Sequence, residues 1–129
     1  MEKTLMFTLP FPPSVNTYYR TYLGRMLISR KGREYCGKVL RSLIEQKMTA
    51  GFTTERLRID ILACRGDRRK YDLDNLLKPL IDSLASTNNG ACLFDNDEQL
   101  DEILIVRGPV DTDGPGFVRI HLTEITEES

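Results

Sequence analysis

From Arg56 to Arg65 the chain alternates, with Leu57, Ile59, Ile61 and Ala63 on one side and Arg56, Arg58 and Asp60 on the other. A two-residue repeat becomes a continuous apolar surface only in an extended strand, so this segment demands a sheet with one face covered. Thr4 to Leu9, Glu102 to Val106 and Phe117 to Thr123 read as further strands, the last two joined by a Gly/Pro/Asp loop from Gly108 to Gly116. Pro10-Phe11-Pro12-Pro13-Ser14 must stop the first strand, because proline has no N–H to give a ladder.

The cover comes from two segments of helical period. Ser29 can cap a helix running to about Met48, in which Cys36, Val39, Leu40, Leu43 and Ile44 recur at three- and four-residue steps among basic residues. Asp74 is placed to cap a second, in which Leu73, Leu76, Leu77, Leu80, Ile81 and Leu84 form a wide apolar face. Pro79 removes the hydrogen bond to the Asn75 carbonyl and should bend this helix or leave its first turn loosely wound. Asn88-Asn89-Gly90 is a stop signal, and Thr126 to Ser129 are expected to fray. The order strand, helix, strand, helix, strand, strand predicts an α+β fold: two helices packed on a small mixed or antiparallel sheet.

A chain of 129 residues is expected to form one domain over residues 1–129. No apolar run has the length of a membrane span, and the start lacks the form of a secretory signal, so a cytoplasmic protein is expected. Cys36, Cys64 and Cys92 fit neither a disulfide framework nor a zinc site, and read as buried or inert thiols. His121 reads as structural. Residues 1–71 hold 15 Lys or Arg against 6 acids, whereas residues 72–129 hold 3 against 13. Such asymmetry points to a polyanion partner unless folding interleaves the halves into a mixed surface.

Between the prolines and the first helix, Asn16, Tyr18, Tyr19, Arg20, Tyr22 and Arg25 occupy what reads as a long loop. Aromatics mixed with cations can grip a sugar-phosphate backbone and stack on an unpaired base; the tyrosines can equally pack on the sheet. Gly66 to Tyr71, with Arg68, Arg69 and Lys70, is a basic loop leading into Asp72-Leu73-Asp74-Asn75 and Lys78, and Asp95-Asn96-Asp97-Glu98-Gln99 follows later. Carboxylates two apart at a loop-to-helix junction can face one pocket, and Lys78 lies one turn beyond Asp74. If the fold returns Asp97 beside them, the set suits Mg2+, a hard ion held by carboxylates, waters and substrate phosphate. Lys78 would then offset charge developing on a phosphodiester, while Asn75 orients a water or a phosphate oxygen. By spacing alone the alternative stands: Asp74 only a cap, Asp72 and Lys78 only solvated ions, Asp95 to Glu98 only a polar turn. An EF-hand is a poorer fit, because Leu100 occupies the place of its glycine.

The run Asp67 to Lys78, the later Asp95 to Gln99, and the opening Leu9 to Asn16 with Tyr19-Arg20 together resemble the RusA family of Holliday-junction resolvases. The resemblance implies a homodimeric, Mg2+-dependent, structure-selective endonuclease, with Mn2+ as a substitute ion, nicking two opposed strands of branched DNA. It places catalytic, metal-binding aspartates at Asp72, Asp74 and Asp97 and an essential lysine at Lys78. Asn16, Tyr19, Arg20, Arg25, Arg68, Arg69, Lys70 and Asn75 are the candidate DNA contacts. Tyr71 departs from the pattern, standing where another arginine is expected. The competing reading is a DNA-binding module without catalysis; a small-nucleotide phosphotransferase is disfavoured for want of a Gly-rich phosphate cradle.

Overall fold

The computed structural model describes residues 3–48, 51–85 and 93–126. The Asn88-Asn89-Gly90 signal, Cys92 and the last three residues lie outside the described residues. In chain order the elements are β1 (Thr4–Pro10), α1 (Val15–Tyr18), β2 (Tyr19–Tyr22), β3 (Arg25–Ile28), α2 (Arg30–Glu45), β4 (Leu57–Arg65), α3 (Asp74–Asp82), β5 (Leu100–Arg107) and β6 (Gly116–Glu124). Four strands form a mixed sheet in the order β1-β6-β4-β5, antiparallel except for the parallel pair β4 and β5. The architecture is α+β, as expected, with one short extra helix and a separate β2–β3 hairpin.

The alternation in β4 works as the sequence demands. Leu57, Ile59, Ile61 and Ala63 are buried beside Val118, Ile120 and Leu122 of β6 and Phe7 and Leu9 of β1. Tyr35, Val39 and Leu43 of α2 and Leu76, Leu80 and Ile81 of α3 join the same core. Each fully buried aliphatic side chain contributes about 1.5–3 kcal/mol. Ile59 is fully buried on a strand paired on both flanks, and its truncation to alanine would cost about 2–5 kcal/mol. The opposite face stays open, with Met6, Leu104 and Val106 about half exposed.

The segment read as a long loop is instead ordered. After one helical turn, β2 and β3 pair from Tyr19↔Ile28 to Tyr22↔Arg25, and Leu23 (φ 51°) and Gly24 (φ 74°) close the hairpin. Two positive φ values are what a two-residue hairpin turn needs, and leucine rarely supplies one, which hid the turn from sequence reading.

Ser29 caps α2 as expected: its hydroxyl accepts from Gly32 N–H at 3.0 Å and donates to the Thr17 carbonyl at 2.6 Å. Gly32 is needed there, since a Cβ would overlap the Tyr18 carbonyl. The helix ends at Glu45 rather than near Met48, because Lys47 (φ 60°) turns the chain left-handed and Met48 N–H bonds the Leu43 carbonyl. Leu40 and Ile44, expected on its apolar face, are exposed.

Asp74 does not cap α3. It is the first helical residue, Leu73 holds the cap position, and no side chain bonds there. Asn75 N–H reaches the Asp72 carbonyl and Leu76 N–H the Leu73 carbonyl, a tight three-residue pattern ahead of Pro79, whose ring is buried within the helix. The helix stops at Asp82, leaving Leu84 buried beyond it. Because β4, α3 and β5 form a parallel crossover, the carboxyl ends of β4 and β5 open side by side, the usual position for sites in such units.

Candidate active site beside the parallel strands

From Arg65 at the end of β4 the chain enters the basic loop. Asp67 organises it, accepting from Arg69 N–H at 3.0 Å and pairing with Arg65 at 3.0 Å and Arg69 at 3.3 Å. The Arg69 N–H, then the two guanidiniums, hold the Asp67 carboxyl below the usual carboxylate range. Tyr71 is tied in next: its hydroxyl donates to the Ala63 carbonyl at 3.4 Å and its carbonyl accepts from Arg107 Nη2 at 2.7 Å. Its ring meets Phe11 edge-on at 5.4 Å, with the Arg65 and Arg107 guanidiniums 5.3 Å and 4.8 Å from its centre. The residue before Asp72 is therefore anchored to both parallel strands.

Asp72 borders two clefts. One, of about 490 Å³, is lined by Arg68, Arg69, Lys70 and Arg107; the other, of about 550 Å³, by Pro12, Ser14, Thr17 and Asn75. Asp72 and Asp74 are exposed, and among the described residues neither carboxylate has an ion pair or hydrogen bond. Unengaged oxygen donors of this kind match the one or two carboxylates that Mg2+ commonly takes from a protein beside water and phosphate.

Lys78, one turn along α3, donates to Asp82 Oδ2 at 3.1 Å, and its ammonium lies 5.3 Å from the centre of the Tyr19 ring. Asp82 is a residue the sequence reading passed over. It is 3% exposed. Burial pushes its carboxyl up to about 6, nearby Asp97 adds to the rise, and Lys78 works against it. Its i,i+4 spacing from Lys78 was the signal available in the sequence.

Asp97 opens a 3-10 turn, Asp97–Gln99, that Asn96 caps through Glu98 N–H, while Gln99 Nε2 donates to the Glu55 carbonyl at 2.9 Å. Leu100, where β5 begins, is level with Leu57, whereas Arg107 is level with Ala63. Asp97 thus sits by the amino ends of the parallel strands and Asp72 by their carboxyl ends, levels about 20 Å apart at about 3.3 Å per residue. Among the described residues no three acidic, histidine or cysteine side chains gather to hold a metal ion. The single chain brings Asp97 towards Asp82 and Lys78, not into one cluster with Asp72 and Asp74.

Of the candidate DNA contacts, Arg68, Arg69 and Lys70 line the first cleft and Asn75 the second. Asn16 is exposed on α1, and Arg20 and Arg25 on the hairpin. Tyr19 is not a free stacking platform: it packs edge-on against Tyr18 at 4.7 Å, and its hydroxyl is buried without a partner among the described residues. The charge asymmetry is partly cancelled across neighbouring strands, where Arg56 pairs with Glu98 and Asp101, and Arg58 with Glu102. Arg68, Lys70 and Arg107 have no acidic partner among the described residues. No described helix is long and apolar enough to cross a membrane.

Acids and cations without partners among the described residues, set side by side on an α+β fold, are chemically able to hold a divalent ion against a phosphodiester. Residues 10–122 match the family described as endodeoxyribonuclease RusA. The chain is 43% identical over 119 residues to the crossover junction endodeoxyribonuclease rusA of Enterobacteria phage HK97, covering 92% of this chain and 93% of that protein. It is 38% identical over 125 residues to the protein named RusA in Escherichia coli strain K12, covering 97% of this chain and 98% of the relative. Enterobacteria phage 82 has a relative 39% identical over 125 residues, with the same coverage. The chain belongs to the RusA family.

Proposed function

We propose that this chain is a crossover junction endodeoxyribonuclease that uses Mg2+, or Mn2+ in its place, to nick two opposed strands of a four-way DNA junction. The observation that carries the reading is the unengaged carboxylate of Asp72, with that of Asp74 two residues on, at the edge of a cleft that Asp72 lines and whose cations Arg68 and Lys70 lack acidic partners among the described residues. Cations of this kind attract phosphate, while free carboxylates beside a bound phosphodiester repel it unless a divalent ion stands between them.

Asp72 and Asp74 would hold the ion, which supplies an activated water and shields the scissile phosphate. Lys78, kept in place by Asp82, offers positive charge beside the site as negative charge grows on the phosphate. Asp97 remains the third proposed ligand. Since it lies towards the other end of α3 within one chain, a three-carboxylate shell would need Asp97 from a second copy. That geometry supports the homodimer, and two-fold symmetry would present one site to each of two equivalent strands. Arg68, Arg69, Lys70 and Asn75 would track the backbone near the cut, with Asn16, Arg20 and Arg25 further along.

The non-catalytic module is separated from this reading by one experiment: a synthetic four-way junction incubated with the protein in Mg2+ or in EDTA. Paired symmetric nicks in Mg2+ and intact DNA in EDTA are expected. Tight binding without cutting in either buffer would leave only the module.

A further inference from the structure

Tyr71, the residue directly before Asp72, is met in space by a cation from β5. Arg107 ends that strand level with Ala63. Gly108 follows, its N–H bonded to the Ala63 carbonyl at 2.8 Å, in a space so tight that a Cβ would overlap Cys64. The strand end is therefore pinned against β4. The side chain is held too, by the Tyr71 carbonyl at 2.7 Å and the Tyr71 ring at 4.8 Å.

Two other guanidiniums of this end are less available, and Arg68, though without an acidic partner among the described residues, is not held by a neighbouring ring and carbonyl as Arg107 is. Arg65 and Arg69 both spend charge on Asp67, and Arg65 lies against the Phe11 and Tyr71 rings. Arg107 has no acidic partner among the described residues, lines the same cleft as Asp72, and has four N–H groups left after serving the Tyr71 carbonyl. A planar fork held flat and left uncompensated is suited to bidentate capture of a phosphate.

We infer that Arg107 binds a DNA backbone phosphate next to the scissile one and that Tyr71 is its positioning residue. The ring and carbonyl of Tyr71 fix the guanidinium in the cleft that Asp72 lines. This rests on the junction-nuclease reading and adds a ligand-binding residue to it.

The test measures binding to a synthetic four-way junction in EDTA over a range of salt. Arg107→Gln should weaken binding about 10-fold and reduce the slope of log affinity against log salt by about one. Arg107→Lys should restore the slope but only part of the affinity, because an ammonium cannot reproduce the fork. Tyr71→Leu should weaken binding several-fold with the slope unchanged. Arg58→Gln, which removes a cation paired with Asp60 and Glu102, is the control and should leave the slope as it was. An Arg107→Gln slope equal to that of the parent overturns the phosphate contact, and an Arg107→Lys protein that binds as tightly as the parent overturns the bidentate fork held by Tyr71. Should Arg107→Gln fail to fold, the lysine variant decides alone. If the parent neither binds nor cuts the junction, it is the functional reading that fails.

Discussion

Lys78 Nζ donates to Asp82 Oδ2 at 3.1 Å across one turn of α3, joining a half-exposed ammonium to a carboxylate that is 3% exposed. A buried acid is thereby given a partner, and a lysine on that helix is given a fixed direction. Three predictions follow from the chemistry of that helix and a fourth from the helix before it.

Asp82 sets a pH dependence of stability. Its carboxyl lies at about 6 in the folded chain, against about 3.9 unfolded. Between those values the folded state binds more protons, so this group's contribution falls as pH rises from about 4 to about 6 and stays low above. Lys78 opposes the effect, while Asp97 reinforces it. Asp82→Asn should therefore gain about 1–2 kcal/mol relative to the parent between pH 4 and pH 7.5. Urea unfolding at both pH values measures the difference; parallel curves would refute the shift.

Lys78→Ala leaves Asp82 buried without its cation. The cost should be about 1 kcal/mol at pH 7.5 and smaller at pH 5, where the carboxyl can take a proton instead. The single-turnover nicking rate should fall about 100-fold, the scale seen when one charge-stabilising donor is removed. An unchanged rate at saturating protein would take Lys78 out of the site.

For Asp74→Asn the structure separates two roles that the sequence left open. No cap bond is lost, so unfolding should shift by no more than about 0.5 kcal/mol. Cutting should be abolished while junction binding is kept or improved, since a ligand and a negative charge both go. Simultaneous loss of helix signal and binding would make the residue structural.

Ser29→Ala removes both the cap on Gly32 N–H and the donor to the Thr17 carbonyl, which ties α2 to α1. The expected loss is about 1–2 kcal/mol by urea unfolding, with no change in its pH dependence. A loss under a few tenths would mean that water serves both groups equally well.

Periodicity carried the strands and both long helices into view, because a repeat of two or of three to four residues reports which side of a segment is buried. Ser29 was legible as a cap from its place alone. Asp74 looked the same and was not one, since α3 starts a residue earlier, at Asp74 itself, and Leu73 takes the cap position. The β2–β3 hairpin escaped because its turn places a leucine at positive φ. Asp82 escaped because, written out, it is only a charge at the end of an apolar helix; only in space is it buried, within electrostatic reach of Tyr18 of α1 and of Asp97.

Residues near one another in the chain were enough to specify the alternating strands, the basic loop with its two aspartates, and the family to which they belong. Their chemistry is local, and local order is what a sequence writes directly. Which distant groups meet was decided by the parallel register of β5 on β4. That register sets Arg107 beside Tyr71 and leaves Asp97 at the far end of the strands from Asp72. Strand register depends on a crossover and on packing across the whole core, and no short stretch of residues encodes it.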